Sequence, residues 1–259
     1  MERIAQRATA EFIGTFALVF IAAGSVVLAQ NVAGTLGVAL AQGLVLAVMV
    51  SVLAHISGAH FNPAVTIGAW VTNQIKTAAA GVYIIAQLAG AAAGAALLRV
   101  TLIETIWKPS HLGTPVVAHQ VMSNGKAVLL EAILTFFLVF AVYGTAIDER
   151  GPFTKTAGLT IGLVLTFDIL VGGPLTGAAM NPARWFGPAL VSGTWTDWWV
   201  YLIGPIGGGV IAAAVYWFAF LGGREKMVRL PRTEKPIEGP ETPMAPEGEG
   251  LSGLPGAES

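Results

Sequence analysis

Six stretches of this chain are apolar almost without interruption: 9–29, 36–55, 79–99, 128–147, 156–172 and 199–221. None alternates like a half-buried strand, and none carries a single apolar stripe against a charged face. Each holds, or nearly holds, the roughly 20 apolar residues a helix needs to cross bilayer hydrocarbon. The pattern predicts an all-α membrane protein with six transmembrane helices. The first run, Phe12 to Ala29, follows Arg3, Arg7 and Glu11 and matches the later spans too closely to be a cleaved leader. After Gly222 the pattern breaks into GREKMVRLPRTEKPIEGPETP and onward, rich in Pro, Gly and Glu, so residues 223–259 are expected to form a disordered cytoplasmic tail.

Two further apolar runs, 62–72 and 181–191, are too short to span, and each begins with the tripeptide Asn-Pro-Ala. Asn is a strong helix N-cap, and Pro suits the first helical position, where its missing N–H costs nothing. About ten residues at 1.5 Å each give roughly 15 Å, half the bilayer core. Both runs therefore read as re-entrant half-helices. Loop backbone at that depth must be enclosed by protein or line a wet cavity.

The chain also repeats itself. TAEFIGTFALVF at 9–20 matches LLEAILTFFLVF at 129–140, ISGAHFNPA at 56–64 matches LTGAAMNPA at 175–183, and VYIIAQLAG at 82–90 matches VYLIGPIGG at 200–208. These set Glu11 against Glu131 (offset 120), Asn62 against Asn181 (119) and Tyr83 against Tyr201 (118). Residues 1–118 and 119–222 thus form two repeats of three spans plus one half-helix. Three crossings invert the second repeat relative to the first, an inverted 3+3 arrangement that sets sites near the midplane. The helix starts at Asn62–Pro63–Ala64 and Asn181–Pro182–Ala183 then meet at the centre. Their partial positive charge, and any amide N–H turned to the lumen, would favour neutral molecules with lone pairs and repel cations. Arg3, Arg7, Lys76, Arg150, Lys155, Arg224 and Lys226 gather on one side against Arg99, Lys108 and Lys126 on the other, which predicts cytoplasmic termini.

Composition agrees: 54% hydrophobic, 11% charged and a mean hydropathy of +0.70 mark a membrane protein. A net charge of −1 argues against a nucleic-acid partner. With no cysteine there is no disulfide, thiolate metal site or cysteine nucleophile. No nucleophile–base pair, metal cluster or phosphate loop stands out, so neither an enzyme nor a cofactor is expected. Glu11 and Glu131 are ionisable groups inside spans. They suit a scaffold role, accepting hydrogen bonds from re-entrant backbone N–H groups, better than proton coupling, which would need a partner along the pore.

The paired SGAHFNPAVTIG and TGAAMNPAR segments resemble the aquaporin or major intrinsic protein family over about residues 8–221. The resemblance implies six tilted helices, two half-helices, a pore in each protomer, usually a homotetramer, and passive conduction of water or small uncharged solutes without protons or ions. It also implies a selectivity filter at Gln42, Ile169, Ala178 and Arg184, counted from the motifs. Water-selective members resemble one another in Phe and His where this chain has Gln42 and Ile169, so a wider opening is expected. Glycerol channels carry Asp and Lys where this chain has Trp185 and Ala189. Water passage is the firmest expectation; ammonia, hydrogen peroxide, urea and glycerol stay open, as does a glycerol facilitator with water secondary. A secondary transporter is the rival class, since broken helices suit it too, but charge pairs along a path are missing.

A multi-pass cell-membrane location follows, with lipid and small neutral solutes as partners. His55 and His60 would flank a cytoplasmic vestibule, where a pH gate is conceivable. The family resemblance makes His60 a loop-packing residue. Asp168, beside Ile169, faces either a neighbouring loop or protomer near the outer surface or the filter; the sequence leaves both open. His111 and His119 read as solvated outer-loop residues, and no metal site is expected.

Overall fold

The computed structural model describes residues 2–151 and 156–222; the tail expected at 223–259 lies outside them. Among the described residues the chain is helical, with no strand. The first helix, α1 (Glu2–Ser57), runs through both of the first two expected spans. Gly34 breaks it in mid-course, at φ 61° and ψ −165°. That region of backbone space is essentially reserved for glycine, because any Cβ would clash with its own peptide groups. One residue thus separates two arms, 2–33 and 35–57, which carry the first two expected spans.

The next elements are α2 (Pro63–Val71), α3 (Thr77–Thr101), the short α4 (Glu104–Trp107) and a 3₁₀ turn (Lys108–Gly113). The second half repeats the order with α5 (Asn124–Val142), α6 (Ala157–Thr176), α7 (Pro182–Ser192) and α8 (Val200–Val215). Single π-turns, Tyr143–Ile147 and Tyr216–Phe220, close α5 and α8. Counting α1 as two arms, six segments are long and apolar enough to cross a membrane, and α2 and α7 are half that length.

Small residues let the helices close on each other. A Cβ on Gly90 of α3 would lie 2.3 Å from the Phe12 carbonyl oxygen of α1, and one on Gly208 of α8 would lie 2.0 Å from that of Ala132 on α5. Glu11 matches Glu131 in sequence, so Phe12 matches Ala132: the same backbone-to-backbone contact is built twice. α2 packs on α8 and α7 packs on α3, so each half-helix is clasped by the last span of the other half. The outward apolar side chains, such as Leu44, Val48, Val52 and Ile85, lie exposed along the spans, as a lipid-facing surface requires.

Candidate functional site

Each half-helix is reached through a loop with alternating strained backbone. Gly58, Ala59 and Phe61 have φ of 91°, 52° and 50°; Gly177, Ala178 and Met180 repeat this at 79°, 45° and 50°. Left-handed non-glycine residues cost of order 1 kcal/mol or more each, so something must hold them. Two buried carboxylates do. Glu11, fully buried, accepts from Ser57 Oγ (2.6 Å) and His60 N (3.0 Å) on Oε1, and from Phe61 N (2.7 Å) and Gln87 Nε2 (2.8 Å) on Oε2. Glu131, equally buried, accepts from Thr176 Oγ1 (2.6 Å) and Ala179 N (2.9 Å) on Oε1 and from Met180 N (2.7 Å) on Oε2. Tyr83 and Tyr201 complete the brackets, donating to the Ser57 and Thr176 carbonyls at 2.6 and 2.8 Å.

The two halves differ around Gln87, which gives Glu11 a fourth donor where Glu131 has three. Gln87 also donates to Thr66 Oγ1 at 2.9 Å, and His60 Nδ1 lies 3.1 Å from the same hydroxyl. A polar relay therefore runs from Glu11 to His60. In the second half Pro205 stands where Gln87 does, and Trp185 where Thr66 does, so no such relay forms. A glutamine within an otherwise apolar span is the signal in the sequence for this residue.

So held, the loops bring the two helix starts together. Asn62 Oδ1 caps Ala64 N at 2.8 Å, while Asn62 Nδ2 donates to the Met180 carbonyl at 2.9 Å. Asn181 Oδ1 caps Ala183 N (2.9 Å) and Arg184 N (3.3 Å), while Asn181 Nδ2 donates to the Phe61 carbonyl at 2.8 Å. One N–H of each amide clips the opposite loop, and the other is left for the cavity both residues line, as their capping oxygens allow.

That cavity is lined by residues of both halves. Its polar lining comes from Gln42, His60, Asn62, Asn181 and Arg184; the remaining wall is mostly aliphatic, including Leu46, Leu138 and Leu165. Gln42 is only 2% exposed, yet its amide makes no hydrogen bond with any described residue, so it is free for a passing solute. Arg184, 3% exposed, donates from Nη1 to the Gly113 carbonyl at 2.9 Å. Gly113 can lie this deep because it is a glycine at φ 69°: a Cβ there would come within 2.6 Å of the Ala23 carbonyl oxygen. No motif announced this contact.

Not every expected site residue meets the cavity. Ile169 and Ala178, each 1% exposed, sit in the apolar cluster with Val38 and Ala39 and are not part of the lining, whereas Ala179 is. His60 lines it; His55 is exposed at the end of α1 and does not. Asp168 is 1% exposed and buried on α6. His111 and His119 are exposed but not merely solvated. His119 Nε2 lies 2.6 Å from Asp197 Oδ2, and His111 Nδ1 lies 3.3 Å from Thr194 Oγ1. These contacts tie the loop that carries Gly113 to the segment after α7.

Comparison with known proteins agrees with this arrangement. The family described as Major intrinsic protein matches residues 2–216. The chain is 44% identical over 231 residues to aquaporin TIP4-4 of Zea mays, covering 85% of this chain and 89% of that one. It is 38% identical over 217 residues to nodulin-26 of Glycine max, covering 82% and 76%. The X-ray structure of the aquaglyceroporin from Plasmodium falciparum superposes with a TM-score of 0.75 at 26% identity, covering 82% of this chain and 95% of that one.

Proposed function

The chain belongs to the major intrinsic protein family and is a passive membrane channel for water and small solutes, and on that premise we propose how its residues set selectivity. Asn62 and Asn181, with the half-helix starts they cap, form the central donor station and the barrier to cations and protons. Gln42 and Arg184 form the outer filter together with Ile169 and Ala178, which pack in the apolar cluster behind the cavity lining. Glu11 and Glu131 are scaffold carboxylates. The observation that carries this reading is the convergence of Gln42, both asparagines and Arg184 on one otherwise aliphatic cavity. A solute sheds its water there and finds donors from Arg184 and the asparagines and an acceptor in the Gln42 amide. The aliphatic wall between them offers nothing to hold it, so it passes on.

Water is the principal solute, and ammonia, hydrogen peroxide, urea and glycerol are further candidates for a filter without the large Phe and His. A glycerol facilitator with water secondary is the second reading, favoured by the likeness to an aquaglyceroporin. Stopped-flow measurements on proteoliposomes separate these readings by the ratio of glycerol to water permeability. Gln42→Phe combined with Ile169→His should reduce glycerol and urea flux while sparing water. An unchanged solute profile would overturn the filter assignment.

Residues 1–118 and 119–222 act as inverted repeats, with the half-helices at their interface. The channel is a homotetramer, as the family resemblance implies, and lies in the cell membrane with both termini cytoplasmic, from the Lys and Arg asymmetry. Mass measurement in detergent and protease access to the tail in sealed vesicles test these two points.

A further inference from the structure

Asp168 plays no part in the machinery described so far. It lies on α6, one residue before Ile169, and is 1% exposed. Its Oδ2 is wholly buried and has no hydrogen-bond partner. The contrast with Glu11 and Glu131 is direct. Those side chains are no more exposed, yet both oxygens of each are occupied by donors, two of them backbone N–H groups that suit an anion. Asp168 has no such shell. A bare carboxylate removed from water costs several kcal/mol, whereas the neutral acid carries only the cost of a buried hydroxyl and has an O–H of its own to give.

Its neighbours supply no compensating charge. One turn further along α6, a Cβ on Gly172 would lie 2.4 Å from Leu134 Cδ1 and 3.2 Å from Ala178 Cβ, so this face turns to α5 and to the loop before α7. The surroundings are the apolar cluster that holds Leu134, Leu138, Leu165, Ile169 and Ala178. Among ionisable groups, α5 offers Glu131, bonded to Thr176 two turns further along α6, and Lys126 in its first turn. The second arm of α1 offers only His55, at its inner end. The π-turn after α5 offers Tyr143, whose hydroxyl is engaged by Gly68 and Thr72. α6 has no other ionisable side chain, and Arg184 on α7 turns its Nη1 to the Gly113 carbonyl and lines the cavity.

We propose that Asp168 is a proton-binding site: the conducting channel carries it as a neutral carboxylic acid, and loss of that proton displaces the adjoining filter residue Ile169 and lowers conduction. A charge formed in this apolar cluster with no donor to receive it forces the 168–172 turn off its seat on α5. Ile169 and the Gly172 contact with Ala178 move with it. This rests on the proposed place of Ile169 in the filter, but the proton itself can be read without any flux.

Infrared difference spectra of the reconstituted channel provide that reading. At pH 6 the wild type should show the C=O stretch of a protonated carboxylic acid that Asp168→Asn lacks, and this band should give way to a carboxylate band as the pH is raised. Beyond the midpoint the acid form falls about tenfold per pH unit. Water permeability of the wild type should fall at least about twofold over the same interval, while Asp168→Asn, isosteric and unable to ionise, keeps the wild-type flux of pH 6 throughout. Absence of the acid band at pH 6 overturns the proton site, and that observation needs only folded wild type. A band that titrates while flux stays level, or a pH profile that Asp168→Asn shares, overturns the link to conduction.

Discussion

Replacing Glu11 and Glu131 by alanine tests whether two carboxylates hold the pore loops in shape. Glu11→Ala strands the N–H groups of His60 and Phe61 and frees the Gln87 amide from one of its two acceptors; the Ser57 hydroxyl can rotate elsewhere. Each backbone donor left buried without a partner costs about 1–3 kcal/mol. Two such donors give roughly 2–6 kcal/mol, and the Gln87 amide adds up to about 1–3 kcal/mol more. Glu131→Ala strands the matching pair, Ala179 N and Met180 N, with no amide beside them, and so roughly 2–6 kcal/mol. Both losses are large against a typical stability of about 5–15 kcal/mol. Thermal unfolding of purified protein in detergent is the assay, paired with water flux at a temperature where the variant is folded. Both variants should unfold well below the wild type, with Glu11→Ala the lower of the two. A wild-type midpoint for either, or the reverse order, would refute the bracket and leave the strained loops without an explanation.

Gly113→Ala forces the outer turn away from Ala23 and takes the carbonyl off Arg184. Its glycerol-to-water permeability ratio should change by about threefold or more, taking roughly 0.7 kcal/mol as half a net hydrogen bond to a charged group; an unchanged ratio would show that Arg184 needs no anchor there. Gly208→Ala puts a methyl 2.0 Å from the Ala132 carbonyl oxygen, whereas a Cβ on its neighbour Gly207 meets nothing within 4 Å. The first should cost at least about 1–3 kcal/mol in unfolding measurements and the second should be neutral or better; equal midpoints would contradict the α5–α8 packing. Asp148, beyond the end of α5, is bonded by Arg150 and by the Tyr216 hydroxyl, and the Arg150 contacts above all hold its carboxyl well below the usual range. A depressed folded value means that its stabilisation is complete above the unfolded value, near pH 4, and is lost only as pH falls through the folded one. Asp148→Asn should therefore lower the melting temperature by the same amount from pH 8 to pH 5, and a gap that closes within that window would refute it.

Where spans begin and end, and where helices start within the membrane, was legible along the chain because the causes are local. Apolar length dictates a crossing; Asn before Pro dictates a cap; and α2 and α7 begin as those residues require, with Asn62 and Asn181 as side-chain caps. The internal repeat also exposed Glu11 and Glu131 as a pair, and a buried carboxylate has few uses besides accepting donors. Gly34 was visible only as a glycine between two apolar runs; its φ and ψ, not its identity, make it the break.

What the sequence did not determine depends on residues far apart in the chain. Asn62 reaches Met180 across 118 positions and Asn181 reaches Phe61 across 120, so the direction of each amide is fixed only once both halves have closed. Arg184 finds a carbonyl 71 residues away, on a loop whose depth depends on the room beside Ala23. The same closure leaves Gln42 unbonded in the cavity and Asp168 unbonded in the core. Helix formation and burial follow from neighbours within a turn or two, and so they can be read from a string of letters. Which polar group is satisfied, and which is left for a solute or a proton, is decided by contacts that exist only in three dimensions.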